Sequence, residues 1–91
     1  MKMNIFAWNI NSIRSKMEFI EKLLKNCDVD ILLVTETKIQ TTHEKEVRAI
    51  DGYNVIWNSN KTSSYHGTAF FYKSSINVEV LQTKLANVNK I

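Results

Sequence analysis

The chain opens with an unbroken apolar run, Met3 to Trp8 (MNIFAW), which ends at Asn9-Ile10-Asn11-Ser12. A run of strand length without polar gaps predicts a strand covered on both faces rather than one half exposed to water. From Ile13 the period changes. Ile13, Met17, Ile20 and Leu24 recur at helical spacing, Phe19 and Leu23 widen the stripe, and Arg14, Glu18, Glu21, Lys22 and Lys25 occupy the other side. This is the pattern of an amphipathic helix, with Ser12 placed to cap its start and Asn26 or Asp28 able to end it in place of glycine.

A second continuous apolar run of strand length follows at Asp30-Ile31-Leu32-Leu33-Val34. Strand, helix of about a dozen residues, strand is the order of a right-handed crossover between two parallel strands. Both strands then point their C-terminal ends the same way, and open α/β folds place their ligands at that edge. The residues brought there are Asn9 and Asn11 after the first strand and Glu36, Thr37 and Lys38 after the second. Beyond them the pattern predicts a short helix around His43 to Ile50, a turn at Asp51-Gly52, and strands at Tyr53 to Trp57, Thr68 to Tyr72 and Ile76 to Leu81. Asn58 to His66 reads as a polar loop, and Gln82 to Ile91 has weak periodicity. One long helix shields only one face of a sheet. The pattern therefore predicts a missing covering layer: a second sheet in a longer parent protein, a partner chain, or a second copy of this one.

Ninety-one residues make one domain at most. Hydrophobic residues at 44% and charged residues at 23% describe a chain that packs a core and not a disordered one. No apolar run reaches the ~18–20 residues needed to cross a bilayer, and the N-terminus turns polar too early for a secretory signal. The expected location is cytoplasmic, or nuclear in a eukaryote, with no membrane partner. Cys27 has no internal disulfide partner, and no Cys/His spacing suggests zinc. With no proline and two glycines, the turns fall to Asn, Ser and Asp. The net charge of +3 arises after residue 58, where Lys61, Lys73, Lys84 and Lys90 face only Glu79. Asn, Lys and Ile occur ten times each, as A/T-rich codons favour, so the basic balance identifies no partner by itself.

Glu36 is the candidate that position singles out: a lone carboxylate directly after a buried strand. Hard cations such as Mg²⁺ take one or two carboxylates with several waters, and this setting offers one. On spacing alone the favoured reading is a solvated strand-end glutamate paired with Lys38 or Arg14. Asn9 and Asn11 suit ordering of a phosphate or a metal's waters, and as turn formers they also suit a strand exit. Ser63, Ser64, Ser74 and Ser75 have no base in register for a hydrolase triad. His43 reads as a surface residue, His66 as a turn residue, and Trp8 as core. Trp57 and Tyr65, beside polar loop residues, offer stacking surfaces for a nucleic acid, with core packing the favoured reading for Trp57.

Taken together, NIFAWNINSIRSK, VDILLVTETK, GYNVIWN and SSYHGTAFFYK resemble, in order and spacing, the N-terminal portion of the exonuclease III and apurinic/apyrimidinic endonuclease family, within the endonuclease/exonuclease/phosphatase superfamily. The resemblance runs from about Met3 to Leu81. It implies an α/β (α+β) fold, the N-terminal half of a four-layer α/β/β/α sandwich, with one mixed sheet, one long helix and a short second helix. Residues 1–91 would form a single partial domain lacking its C-terminal half. It also implies a metal-dependent phosphodiesterase acting on DNA. Asn9 and Glu36 would be catalytic, Glu36 and Asn11 would lie at a Mg²⁺ or Mn²⁺ site, and Arg14, Lys38 and Tyr65 would contact nucleic acid. Ser12, Val29 and Thr35 depart from the family's usual glycine, proline and glutamine, and the segment ending at Lys73 keeps only Gly67 of a more glycine-rich pattern. The family's catalytic tyrosine, Asp-x-Asn pair and Asp-His pair have no counterpart here, so the isolated chain is expected to be inactive. Two other readings stand beside this one: a non-catalytic module that binds a partner chain, a complementary C-terminal half or itself, and a fragment of a superfamily phosphatase.

Overall fold

The computed structural model describes residues 2–59 and 66–78. The two apolar runs become β1 (Ile5–Asn9) and β2 (Ile31–Thr35), which pair in parallel from Ile5 with Ile31 to Asn9 with Thr35. Between them lies α1 (Met17–Asn26), entered through a 3₁₀ turn at Arg14–Lys16. After β2, a 3₁₀ segment (Thr41–Glu46) leads to β3 (Tyr53–Asn58) and β4 (Thr68–Lys73). The sheet order is β1-β2-β4-β3, with β4 antiparallel to both neighbours. This is the expected α/β arrangement, a mixed sheet with one long helix and a short second one.

α1 buries Met17, Ile20 and Leu24, and Leu23 packs half-buried beside them. Phe19 does not join the stripe; it is 60% exposed. Ser12 is not the cap either. The 3₁₀ turn intervenes, and Lys16 precedes α1 without any side-chain cap bond. The helix ends as Asp28 permits: this residue takes a left-handed φ of 48°, and Val29 N–H reaches back to Leu24 C=O at 3.1 Å. Leu24 and Val29 are both fully buried, which supplies the apolar contact of a Schellman closure without a glycine.

The predicted helix over His43 to Ile50 is shorter and tighter than its pattern suggested. His43 N–H bonds Gln40 C=O at 2.9 Å and Val47 N–H bonds Glu44 C=O at 3.2 Å, both i to i−3 closures, and Val47 is already extended. The expected strand from Ile76 does not form over residues 76–78. Ile76 N–H instead closes a turn on Lys73 C=O at 2.9 Å. The rest of that expectation, and the stretch from Gln82, lie outside the described residues.

Register decides which face of the sheet each side chain takes. Leu32, Val34, Ala69 and Phe71 line the helix side and are buried, with Trp8, Tyr53, Val55 and Trp57 packed around them; Trp57 meets Phe71 edge-on at 6.3 Å. Trp57 is therefore a packing residue. On the other face Ala7, Leu33, Phe70 and Ile56 form one row and Ile5, Ile31, Tyr72 and Asn54 another, and none of these belongs to the core. Ile5 is 64% and Leu33 40% exposed. The strands expected to be covered on both faces are thus covered on one, since the described residues supply no second layer.

The edge of the sheet opposite the β1 and β2 exits is tied by charge. Lys73 Nζ bonds Asp28 at 2.6 Å and Asp30 at 3.0 Å, Asn4 N–H bonds Asp30 at 2.7 Å, and the Tyr53 hydroxyl donates to Val29 C=O at 2.6 Å. The Asn4 amide and then the Lys73 ammonium hold the Asp30 carboxyl below its ordinary pKa. A lowered pKa stabilises the fold above the unfolded-state value and loses that contribution as pH falls through the folded-state value. Urea midpoints measured from neutral pH to about pH 3 should fall, and Asp30→Asn should flatten the acid end of that curve. In the same assay Leu32→Ala should cost about 2–5 kcal/mol. Leu33→Ala should cost less than about 1 kcal/mol, because its side chain stays in contact with water.

Candidate active site

The parallel pairing carries the exits of β1 and β2 to one edge. β3 ends and β4 begins at that edge too, so Asn9, Thr35, Thr68 and Asn58 form a polar row across the sheet. Past this row the β1 and β2 chains stay zipped. Ile10 N–H bonds Thr35 C=O at 3.0 Å, Ser12 N–H bonds Glu36 C=O at 2.9 Å and Ile13 N–H bonds Thr37 C=O at 3.0 Å.

This zipping uses backbone that L-residues enter at a cost. Asn11 (φ 49°), Ser12 (88°), Glu36 (55°) and Lys38 (56°) are all left-handed. Buried neighbours hold them there. Ile10, Ile13, Thr37 and Ile39 are each 1% exposed or less, so polar residues alternate with plugs sunk in the core. Lysines complete the frame. Lys16 Nζ donates to Ile10 C=O at 2.5 Å and Asn11 C=O at 3.4 Å, and Lys38 Nζ donates to Asn11 Oδ1 at 2.5 Å.

The expected site residues divide accordingly. Asn9, Asn11, Glu36 and Lys38 come together at this edge. Arg14 lies just beyond, in the 3₁₀ turn, with its guanidinium on Glu46 at 3.5 Å. Tyr65 lies outside the described residues. Neither Arg14 nor Lys38 pairs with Glu36, and among the described residues its half-buried carboxylate has no ion-pair partner. Of the two readings that spacing left open for Glu36, the ion-paired one is not what forms. Among the described residues no three His, Cys, Asp or Glu gather into a metal cluster. A shallow depression of about 340 Å³, lined by Asn58, Ser59, His66, Gly67 and Thr68, adjoins the edge. Sequence reasoning gave Lys16 no role, and it placed Thr37 at this edge and Gly67 in the resembling pattern without joining the two. Nothing local shows that the Lys16 side chain turns back to the β1 exit or that residue 67 meets residue 37.

The model of the endonuclease/exonuclease/phosphatase family matches residues 6–88. The chain belongs to this family. Its curated relatives include DNA-(apurinic or apyrimidinic site) endonuclease 2 of Xenopus laevis, 35% identical over 94% of this chain and 17% of the relative. The exodeoxyribonuclease of Bacillus subtilis is 39% identical over 78% of this chain and 28% of its own length. The chain thus spans between a sixth and a third of these family members. Among solved structures, the Xenopus laevis APE2 catalytic domain superposes with a TM-score of 0.66 at 35% identity, covering 80% of this chain and 24% of that one. An AP endonuclease from Archaeoglobus fulgidus gives 0.64 at 28% identity, covering 78% and 27%. The family relation and the mixed sheet agree with what the four sequence blocks implied. No helix among the described residues is long and apolar enough to cross a membrane.

The frame around Asn11 is testable in this family member without any ligand. Lys38→Ala should shift the side-chain amide resonances of Asn11 while changing stability by less than about 1 kcal/mol, since the pair is exposed. Unchanged Asn11 resonances would show that the lysine does not hold it in solution.

Proposed function

We propose that this chain is the N-terminal part of a metal-dependent phosphodiesterase that hydrolyses the DNA backbone, with a C-terminal half completing the domain. The observation that carries the reading is the Glu36 carboxylate at the strand-exit edge it shares with Asn9 and Asn11, without an ion-pair partner among the described residues, while the Lys16 and Lys38 ammonium groups bond to Asn11 at the same edge. A single carboxylate among positive charges suits a cation that shares its site with a phosphate.

The donors present are hard oxygens, which suit Mg²⁺ or Mn²⁺. Glu36 would hold the ion and Asn11 would lie beside it, since its carboxamide oxygen keeps a second lone pair while accepting from Lys38. Such an ion lowers the pKa of bound water and stabilises negative charge developing at phosphorus. This chain's own residues bind and orient. Asn9 donates from its carboxamide to a phosphate oxygen, Lys38 keeps Asn11 in place while adding positive charge, and Arg14 contacts the DNA backbone by exchanging Glu46 for phosphate. Tyr65 would add a further backbone contact. The face bearing Ala7, Leu33, Phe70 and Ile56 is where the complementary half would pack, and activating and leaving-group residues would come from that half. The reading places the protein in the cytoplasm, or in the nucleus of a eukaryote.

Cleavage of abasic-site and plain duplex DNA with Mg²⁺ tests this, comparing the chain alone, the chain with any segment encoded downstream, and both with Glu36→Gln. The chain alone should be nearly inactive. The completed protein should cleave, and Glu36→Gln should lower turnover on the order of 10²-fold or more. Robust Mg²⁺-dependent turnover by the chain alone, indifferent to Glu36→Gln, would sink the proposal. Light scattering on the isolated chain bears on the open face: stable self-association that buries it would favour the binding-module reading instead.

A further inference from the structure

Thr37 is fully buried, and its hydroxyl has no hydrogen-bond partner among the described residues. It sits between Glu36 and Lys38, both left-handed. Its peptide is clamped on two sides: its N–H donates to Gly67 C=O at 3.0 Å and its C=O accepts from Ile13 N–H at 3.0 Å. Gly67 has a φ of 124°, and a Cβ built on it would lie 2.5 Å from Thr37 Oγ1, closer than real Cβ atoms come. The threonine hydroxyl therefore occupies the space that a side chain at position 67 would need. A buried unpaired hydroxyl is unfavourable, and alanine at position 37 would avoid it. A polar group that costs stability, wedged under two strained residues, points to a demand for position rather than for cohesion.

We propose that Thr37 and Gly67 are positioning residues for Glu36. The hydroxyl of Thr37, seated on the bare Cα of Gly67, sets the height of the β2 exit and so keeps Glu36 and Lys38 left-handed. This rests on the reading of Glu36 as the metal-site carboxylate. It adds that the start of β4, distant in sequence, aims that carboxylate.

The geometry predicts an exchange. Gly67→Ala creates a clash, Thr37→Ala leaves a void, and the double variant puts the methyl of residue 67 where the hydroxyl was. Carbon-13 Cα and Cβ shifts of Glu36 and Lys38 report their left-handed backbone directly. Both single variants should disturb these shifts while leaving Asp28, left-handed at the opposite edge, unchanged. The double variant should restore them, despite the cost of alanine at a φ of 124°. Undisturbed shifts in Gly67→Ala, or a double variant as disturbed as Gly67→Ala, would overturn the proposal. If Gly67→Ala does not fold, recovery of the folded spectrum in the double variant supports the exchange and its absence refutes it. A parallel Mn²⁺ titration should broaden Glu36 signals in the wild type, do so about 10-fold more weakly in Gly67→Ala, and fail in Glu36→Gln. No broadening in the wild type, with the shift pattern as expected, would remove the metal reading of Glu36 and leave the coupling of residues 37 and 67 standing.

Discussion

Parallel pairing of β1 and β2 is the constraint on which the rest of the structure depends. Parallel neighbours need a crossover, and here α1 provides it, laying Met17, Ile20 and Leu24 over Leu32, Val34 and Phe71. Burying such side chains contributes about 1.5–3 kcal/mol each, while the i,i+4 ion pairs on the outer surface of α1 contribute little. The apolar stripe therefore holds the crossover, and the crossover delivers both strand exits to one edge. Antiparallel β4 and β3 extend that edge, turning two exits into a polar row four strands wide.

That edge is held in a conformation its residues do not prefer. A left-handed L-residue costs roughly 1–2 kcal/mol, and there are four in two short segments. Three fully buried isoleucines, Ile10, Ile13 and Ile39, contribute about 1.5–3 kcal/mol each and offset that cost. The ladder bonds from Ser12 and Ile13 then fix the direction in which the strain resolves. Unpaired Glu36 is the outcome: its backbone is restrained on both sides while its carboxylate has no ion-pair partner among the described residues.

The sheet is finished on one side only. Its helix face carries the core, and its other face carries Ile5 and Leu33 exposed to water with Phe70 and Ile56 half-buried beside them. In a chain spanning 17% and 28% of its curated relatives, that face sits beside the polar row. The proposed site and the surface proposed for the complementary half are thus adjacent regions of one sheet face, so residues packing there would reach Asn9 and Glu36 with little intervening chain.

Periodicity and residue type were enough to read β1, α1, β2, the parallel crossover, the strands at Tyr53 and Thr68, and the convergence of Asn9, Asn11, Glu36 and Lys38, because burial of a repeating apolar stripe is a local pattern with a definite global result. The start of α1, the exposure of Phe19 and the tightening of residues 41–46 escaped that reading, since each depends on which neighbour occupies the remaining space. The sequence by itself determined the family, the sheet and the edge that holds the candidate site. Only the tertiary structure decided that Arg14 pairs with Glu46, that Lys38 holds Asn11 instead of Glu36, and that Gly67 seats Thr37. Those are contacts between residues 27 to 32 positions apart in the chain, and the distance between two side chains is set by the packing of everything between them.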